Sequence, residues 1–187
     1  MARSKALLSV ATGLVAGLFV LGGAPAAGQP QGVGAGLRNH DTNAPVDIAA
    51  DRIEVQDRSN RAIVSGNVDV RQARLRLQAQ RVTVAYSGAG NNQIERIDAT
   101  GGVTLTSPSE TIRGNTAIYD LDAKIITLLG GVSLRNPDGN LQGGRLVYDL
   151  RSGRAVMDGG VPGAPGSATS PTGRVTGRFT VPQRQNN

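Results

Sequence analysis

The chain of 187 residues is long enough for one domain with a leader and a tail, and it carries a formal net charge of +6 at pH 7. It has no cysteine, which excludes disulfides and thiolate chemistry, and its one histidine, His40, excludes a zinc site of histidine and cysteine within the domain. Residues 45–160 hold 14 basic and 13 acidic side chains and aromatic residues are only 3% of the chain, so the basic face and stacking side chains of a nucleic-acid binder are missing.

The N-terminal segment has the composition of a secretory signal. Two basic residues near the start precede the apolar run Ala6–Gly23, and small residues that suit cleavage follow it. We therefore interpret residues 1–27 as a signal peptide and the glycine-rich residues 28–44 as a flexible linker. The apolar run is close to the lower length limit for crossing a bilayer, so an uncleaved membrane anchor is the alternative interpretation.

An eight-residue pattern recurs along the rest of the chain. It opens on an aliphatic residue, passes through small and polar residues, closes on an apolar one, and occurs at residues 48–55, 77–84, 112–119 and 141–148. A Gly-Asn-Val or Gly-Gly-Val step follows each copy, at residues 66–68, 101–103, 130–132 and 159–161. The first glycine comes 18 positions after the opening residue in three copies and 24 in the second, where the loop 87–92 is inserted. This constant spacing indicates a repeated supersecondary unit.

Period-two alternation is the main local signal between the repeats. Val68 and Val70, for example, flank Asp69 on the opposite face, which is typical of a half-buried strand. Turn sequences separate such runs at residues 58–61, 136–139 and 151–154. The pattern predicts an all-β domain over residues 45–160 with a dozen or more short strands. Residues 161–187 are rich in Pro, Gly, Ser, Thr and Arg, and we predict a mostly disordered tail.

No arrangement of side chains predicts an enzyme. A Ser/His/Asp triad would need a histidine inside the domain, and the paired glycines do not precede helices, so they are not phosphate loops. Asp120 and Asp122 are better explained as a solvated turn than as a catalytic pair. Tyr119 and Tyr148 occupy equivalent repeat positions, where we expect core packing with the hydroxyl at the rim. We expect no catalytic residue, no cofactor and no metal site.

Several segments in order resemble the OstA-like family of lipopolysaccharide-transport proteins, which includes LptA-like proteins. The resemblance is carried by Asp41–Ile48, Val64–Val70, Leu77–Val84 and Tyr119–Leu121, and it extends to Gly160. It implies a twisted β-jellyroll of antiparallel strands, open at both ends and located in the periplasm. Its apolar interior would shield the acyl chains of lipid A while lipopolysaccharide moves from the inner to the outer membrane.

The resemblance also implies a lipid-facing set of residues and a set of partners. Matching positions give Thr42, Val46, Ile48, Leu105, Tyr119 and Leu121, and repeat symmetry adds Val55, Val68, Val70, Leu77, Val84, Val132 and Leu134. Lipopolysaccharide would be the ligand, an LptC-like domain would join the N-terminal edge, and an LptD-like periplasmic domain would join the C-terminal edge. Copies would also join head to tail through edges near Val46–Val55 and Leu141–Met157.

Two other interpretations stay open at this point. A retained leader would make the chain an inner-membrane-anchored, LptC-like subunit of the same pathway. The repeats could alternatively build a parallel β-helix of a carbohydrate-active enzyme or an adhesin, although β-helix repeats are usually shorter and more numerous.

Overall fold

The computed structural model describes residues 37, 40–87, 93–160 and 173–180, which all belong to one compact unit, residues 31–187. Over these residues the chain forms a ten-stranded antiparallel sheet. The strands are β1 (Val46–Ala49), β2 (Arg52–Gln56), β3 (Arg61–Gln72), β4 (Leu75–Tyr86), β5 (Ile94–Thr106), β6 (Thr111–Asp120), β7 (Ile125–Asn136), β8 (Gly139–Asp149), β9 (Arg154–Asp158) and β10 (Thr176–Phe179). A 3₁₀ turn, Asp57–Ser59, connects β2 to β3.

The long strands β3 to β8 form a meander in which each strand pairs with the next along the chain. At one side of the meander, β1 and β2 pair with different stretches of β3. At the other side, β9 and β10 pair with different stretches of β8. We call the part of the sheet that ends in β1 and β10 the β1 half, and the part that ends in β2 and β9 the β2 half. The pairings confirm the all-β antiparallel prediction, and they show that the parallel β-helix interpretation is wrong.

The strands are fewer and longer than the sequence predicts, because the glycine steps lie inside strands. The strand register shifts between Ser65 and Val68 in β3, and the corresponding steps of β5 and β7 shift in the same way. Both residues of each step have positive φ angles: Gly66 and Asn67, Gly101 and Gly102, and Gly130 and Gly131. Each step is therefore a bulge that bends a strand where the β1 half meets the β2 half.

Each bulge packs against the fourth residue of a repeat on the neighbouring strand. A Cβ atom built on Gly101 would lie 2.7 Å from the Cβ atom of Gln80, and one on Gly130 would lie 2.9 Å from Nδ2 of Asn115. In the first copy, the Asn67 amide donates to Asp51 Oδ2 at 2.9 Å. The constant spacing seen in the sequence thus reflects one structural requirement, the close approach of each glycine to its neighbour.

The two halves bury their apolar faces against each other. Residues directly opposite on antiparallel strands share a face, so the register defines apolar rows that run across the whole sheet. One row of the β2 half contains Ile53, Val64, Val82, Ala99, Ala117, Leu128, Leu146 and Met157. A matching row of the β1 half contains Ile48, Val70, Leu77, Leu105, Ile112, Leu134 and Leu141. Buried residues from both halves form a single hydrophobic core.

The outer face is polar and carries ion pairs between neighbouring side chains. Asp69 accepts hydrogen bonds from Arg76 at 2.8 and 2.9 Å and from Arg71 at 2.9 Å. These hydrogen bonds hold the pKa of the Asp69 carboxyl well below its ordinary value, with Arg76 making the larger contribution. No helix among the described residues is long and apolar enough to cross a membrane.

The tail contributes one strand to the sheet. Composition predicts mostly disorder over residues 161–187, yet Thr176–Phe179 form β10 and pair with Gly139–Gln142 of β8. The sequence places the C-terminal edge near Leu141–Met157, whereas β9 and β10 together form that edge. Residues 161–172 and 181–187 of the predicted tail, the predicted signal peptide and most of the inserted loop 87–92 lie outside the described residues.

Candidate functional site: the apolar interior of the sheet

The interior contains a small cavity between the two halves. Val46, Val70, Leu77, Leu105 and Tyr119, all predicted to face lipid, line it. The lining also includes Gln72, Leu75, Ile97 and Ile126, which the sequence did not single out. The cavity measures about 20 Å³, roughly the space of one water molecule. The side chains that line this cavity therefore leave little open space between the two halves at this point.

Most other predicted lipid-facing residues lie in the same core. Val68, Val84, Val132 and Leu134 are buried in it. Ile48 and Leu121 are half-buried and pack against it. Thr42 is half-buried at a recess on the surface that adjoins the cavity. The structure thus places these residues on or beside one apolar interior.

Val55 is the exception, because 61% of its surface is exposed. Its partner across the ladder is Ala62, which packs against the core, so Val55 still belongs to the interior face. Ile53 on the same strand also belongs to the interior face, because it opposes Val64, and it is 53% exposed. Both residues lie on β2, which pairs with β3. The apolar face therefore continues to this edge of the sheet, where it is open to solvent.

A buried glutamine interrupts the apolar face near the end of β3. Gln72 is only 4% exposed, and its Oε1 atom accepts a hydrogen bond from the Tyr119 hydroxyl at 3.0 Å. The same oxygen lies 3.0 Å from Nε2 of His40. Its amide nitrogen donates to the backbone carbonyls of Thr42 at 3.1 Å and Ala44 at 3.0 Å. Every polar atom of this side chain is satisfied, as burial requires.

The alternation of β3 contains a signal for this residue. Val68, Val70 and Gln72 occupy successive interior-facing positions, and a polar side chain at the third one breaks the pattern. The partners of Gln72 could not be predicted in the same way, since they lie between 28 and 47 residues away in sequence.

The described residues before β1 are attached to the sheet. Leu37 is 2% exposed, and its backbone N–H donates to the Tyr148 hydroxyl at 3.1 Å. Together with the bonds from Gln72 to Thr42 and Ala44, this contact fixes a stretch that the composition predicts to be flexible. We call residues 40–44 the strap, because two of their backbone carbonyls bind the side chain of Gln72.

Outside the strap lies a polar recess of about 600 Å³. Its lining contains Thr42, Asn43, Ala44, Val46, Gln72, Ser87, Gln93, Ile94, Glu95, Leu121, Asp122 and Lys124. Val46 and Gln72 line both this recess and the inner cavity. These two side chains therefore form the boundary between a polar, solvent-open space and the apolar interior.

Burial raises the pKa of Tyr119 to about 12. The hydroxyl stays protonated at neutral pH and remains a hydrogen-bond donor to Gln72. In the part of the chain that the structure describes, no three His, Cys, Asp or Glu side chains group closely enough to hold a metal ion. The described part of the interior is an apolar surface whose boundary carries the hydrogen bond between Tyr119 and Gln72.

Known proteins share this architecture. Residues 47–154 match the family described as LptA/(LptD N-terminal domain) LPS transport protein. An uncharacterized protein from Rhizobium meliloti (strain 1021) is 33% identical over 132 residues, which cover 67% of this chain and 69% of that protein.

A solved structure gives the same result for the fold. LptH from Pseudomonas aeruginosa, described as the LptA homologous periplasmic component of the conserved lipopolysaccharide transport device, superposes with a TM-score of 0.65 at 19% identity. The superposition covers 76% of this chain and 99% of LptH, and it confirms the predicted β-jellyroll. With the family match spanning most of the sheet, the chain belongs to the LptA/LptD N-terminal domain family of lipopolysaccharide-transport proteins.

Proposed function

We propose that the protein binds lipopolysaccharide in the periplasm, shields the acyl chains of lipid A in its apolar interior and acts as a bridge toward the outer membrane. The observation that carries the proposal is the apolar row of the β2 half, which runs from Ile53 on β2 to Met157 on β9 and whose buried members belong to the shared core. Each methylene removed from water gains about 0.8 kcal/mol, so a chain of about ten methylenes would cost roughly 8 kcal/mol to expose. A protein that covers such chains lowers this barrier without a catalytic residue.

Lipid binding requires the interior to open, because the cavity of about 20 Å³ cannot hold an acyl chain. Interior side chains such as Leu128 and Leu146 are fully buried in the core that both halves share. An acyl chain would replace these contacts with similar apolar ones, so the face stays out of water in both states. The bulges at the boundary between the halves are the natural place for the sheet to bend as it opens.

The two edges support the bridge role. The β2 edge exposes Ile53 and Val55 of the interior face, and the opposite edge exposes Phe179 of β10. Edge strands offer backbone donors and acceptors to another strand. We propose that an LptC-like domain adds at the N-terminal edge, an LptD-like domain at the C-terminal edge, and copies of this chain head to tail. Strand addition of this kind would align successive interiors into one path.

A pair of adjacent substitutions on β1 tests the lipid site. Ile48 opposes Val70 on the interior face, while Asp47 opposes Arg71 on the outer face. Ile48→Asp introduces a carboxylate that must be desolvated when a chain binds, so we expect at least a tenfold weaker affinity for fluorescent lipopolysaccharide. Asp47→Ser serves as the control and should change the affinity less than twofold. Circular dichroism verifies that both variants fold. Equal losses in the two variants, or no binding by the parent protein, would contradict the proposal.

A further inference from the structure

The boundary between recess and interior consists of one apolar and one polar side chain, Val46 and Gln72. An acyl chain that passes from the recess to the interior has to pass Gln72. The recess itself is polar, with Asn43, Gln93 and Lys124 in its lining, and it suits a headgroup rather than a hydrocarbon. The two spaces together have the polarity of an amphiphile, with Gln72 at the position where a headgroup would join its chains.

The amide nitrogen of Gln72 has both of its acceptors in the strap. Its amide donates to the carbonyls of Thr42 and Ala44, and both of these belong to the strap. Thr42, Asn43 and Ala44 line the recess together with Gln72, so a chain that displaces the strap on its way past Gln72 removes both acceptors. The Tyr119 hydroxyl remains, but it faces Oε1 of Gln72, to which it donates at 3.0 Å, and not the amide nitrogen that has lost its acceptors. Where the bound chain excludes water from Gln72, an amide left without an acceptor is costly.

We propose that Gln72 is a specificity-determining residue, which selects amphiphiles that carry a hydrogen-bond acceptor, such as an amide carbonyl, where the acyl chain joins the headgroup. On binding, that acceptor replaces the Thr42 and Ala44 carbonyls, and Tyr119 holds the glutamine side chain in position from the other side. The inference rests on the proposed function, and it adds a chemical requirement that an apolar interior alone does not impose. A ligand with the same chain but no acceptor at the linkage leaves the amide unpaired and binds more weakly.

Two single-chain amphiphiles with the same sugar headgroup and chain length provide the probes. One is linked by an amide and the other by an ether whose oxygen is a weak acceptor. Titration calorimetry measures each against the parent protein, Gln72→Leu and the control Gln78→Leu, which makes the same substitution at an exposed position of β4. We expect the parent and Gln78→Leu to favour the amide-linked probe by about tenfold. Gln72→Leu should bind both probes equally.

The outcomes separate this inference from the proposed function. Equal binding of both probes by the parent protein, or a preference that survives in Gln72→Leu, overturns the role of Gln72 while leaving the lipid-carrier function intact. Binding of neither probe and of no lipopolysaccharide by the parent protein overturns both.

Hydrogen exchange on the parent protein decides the question if Gln72→Leu does not fold. The amide-linked probe should increase exchange in residues 40–46, since the strap leaves Gln72 on binding. Unchanged exchange there with the probe bound would show that Gln72 keeps its strap partners, and the inference would fail.

Discussion

A single methyl group at a glycine bulge tests how the sheet is bent. Gly101 has φ +86° and Gly102 has φ +82°, so alanine at either position is strained. The left-handed conformation costs a non-glycine residue about 1–2 kcal/mol. Alanine also lowers the conformational entropy of the unfolded chain, which offsets about 0.5–1 kcal/mol of that cost. Gly102→Ala should therefore lower the free energy of unfolding by about 1 kcal/mol, because no atom lies within 4 Å of its new methyl group.

Gly101→Ala has the same backbone strain as Gly102→Ala and adds a steric clash. Its methyl carbon would lie 2.7 Å from Cβ of Gln80, and a Cβ atom cannot move aside without its backbone. Overpacking of this kind typically costs about 1–3 kcal/mol, so we expect a total loss of about 2–4 kcal/mol. Urea denaturation followed by far-ultraviolet circular dichroism measures both variants against the parent protein.

The pairing of Gly101 with Gln80 also predicts coupling. Replacing Gln80 by glycine removes the atoms that the new methyl group meets, so Gly101→Ala in a Gln80→Gly background should cost no more than Gly102→Ala does. Equal losses for the two single alanine variants would refute the close approach between the strands. No loss for either variant would refute the positive φ angles, and with them the bulge.

Three further predictions concern the buried hydroxyl, the open edge and the leader. Burial in the folded protein raises the Tyr119 pKa from 10.0 to about 12, so the unfolded chain releases this proton at a lower pH. The stability that this difference provides is present below pH 10 and should be lost as pH rises toward 12. Urea denaturation at a series of pH values should show that the free energy of unfolding falls less steeply with pH in Tyr119→Phe. Val55→Lys should weaken end-to-end oligomers in light scattering, whereas Glu54→Gln on the outer face should not, and a strictly monomeric parent protein would contradict the bridge. N-terminal sequencing of periplasmic protein should begin near Gly28, and an intact Met1 in the membrane fraction would favour the anchored interpretation.

Local alternation predicted most of the interior correctly. Val68, Val70, Leu77 and Val84 are buried, as expected, because period two is a property of each strand by itself. The glycine steps were harder to interpret, since a glycine pair can end a strand or bend it. Which of the two occurs depends on whether pairing resumes beyond the step, and Val103 resumes it with Gly114 on the next strand.

Features that depend on topology could not be predicted. Val55 follows the interior pattern, but it is exposed because it lies on an edge strand. The strand Thr176–Phe179 has the composition of a tail, and it forms because one stretch of β8 offers it an edge. Gln72 was overlooked because its partners come from the strap and from Tyr119, which is 47 residues away in sequence.

For the proposed lipid-carrier function, the core that the two halves share has a consequence for how a bound lipid could be released. If the empty groove were open, each bound methylene would gain its own burial and that of the protein surface beneath it, and binding would be too tight for onward transfer. Here the two halves already bury that surface against each other. A bound chain therefore gains roughly its own transfer free energy, reduced by the cost of parting the halves and of releasing the strap from Gln72. Under the proposed function, affinity that is limited in this way would allow the chain to move on when a neighbouring interior of the same kind is joined at the edge.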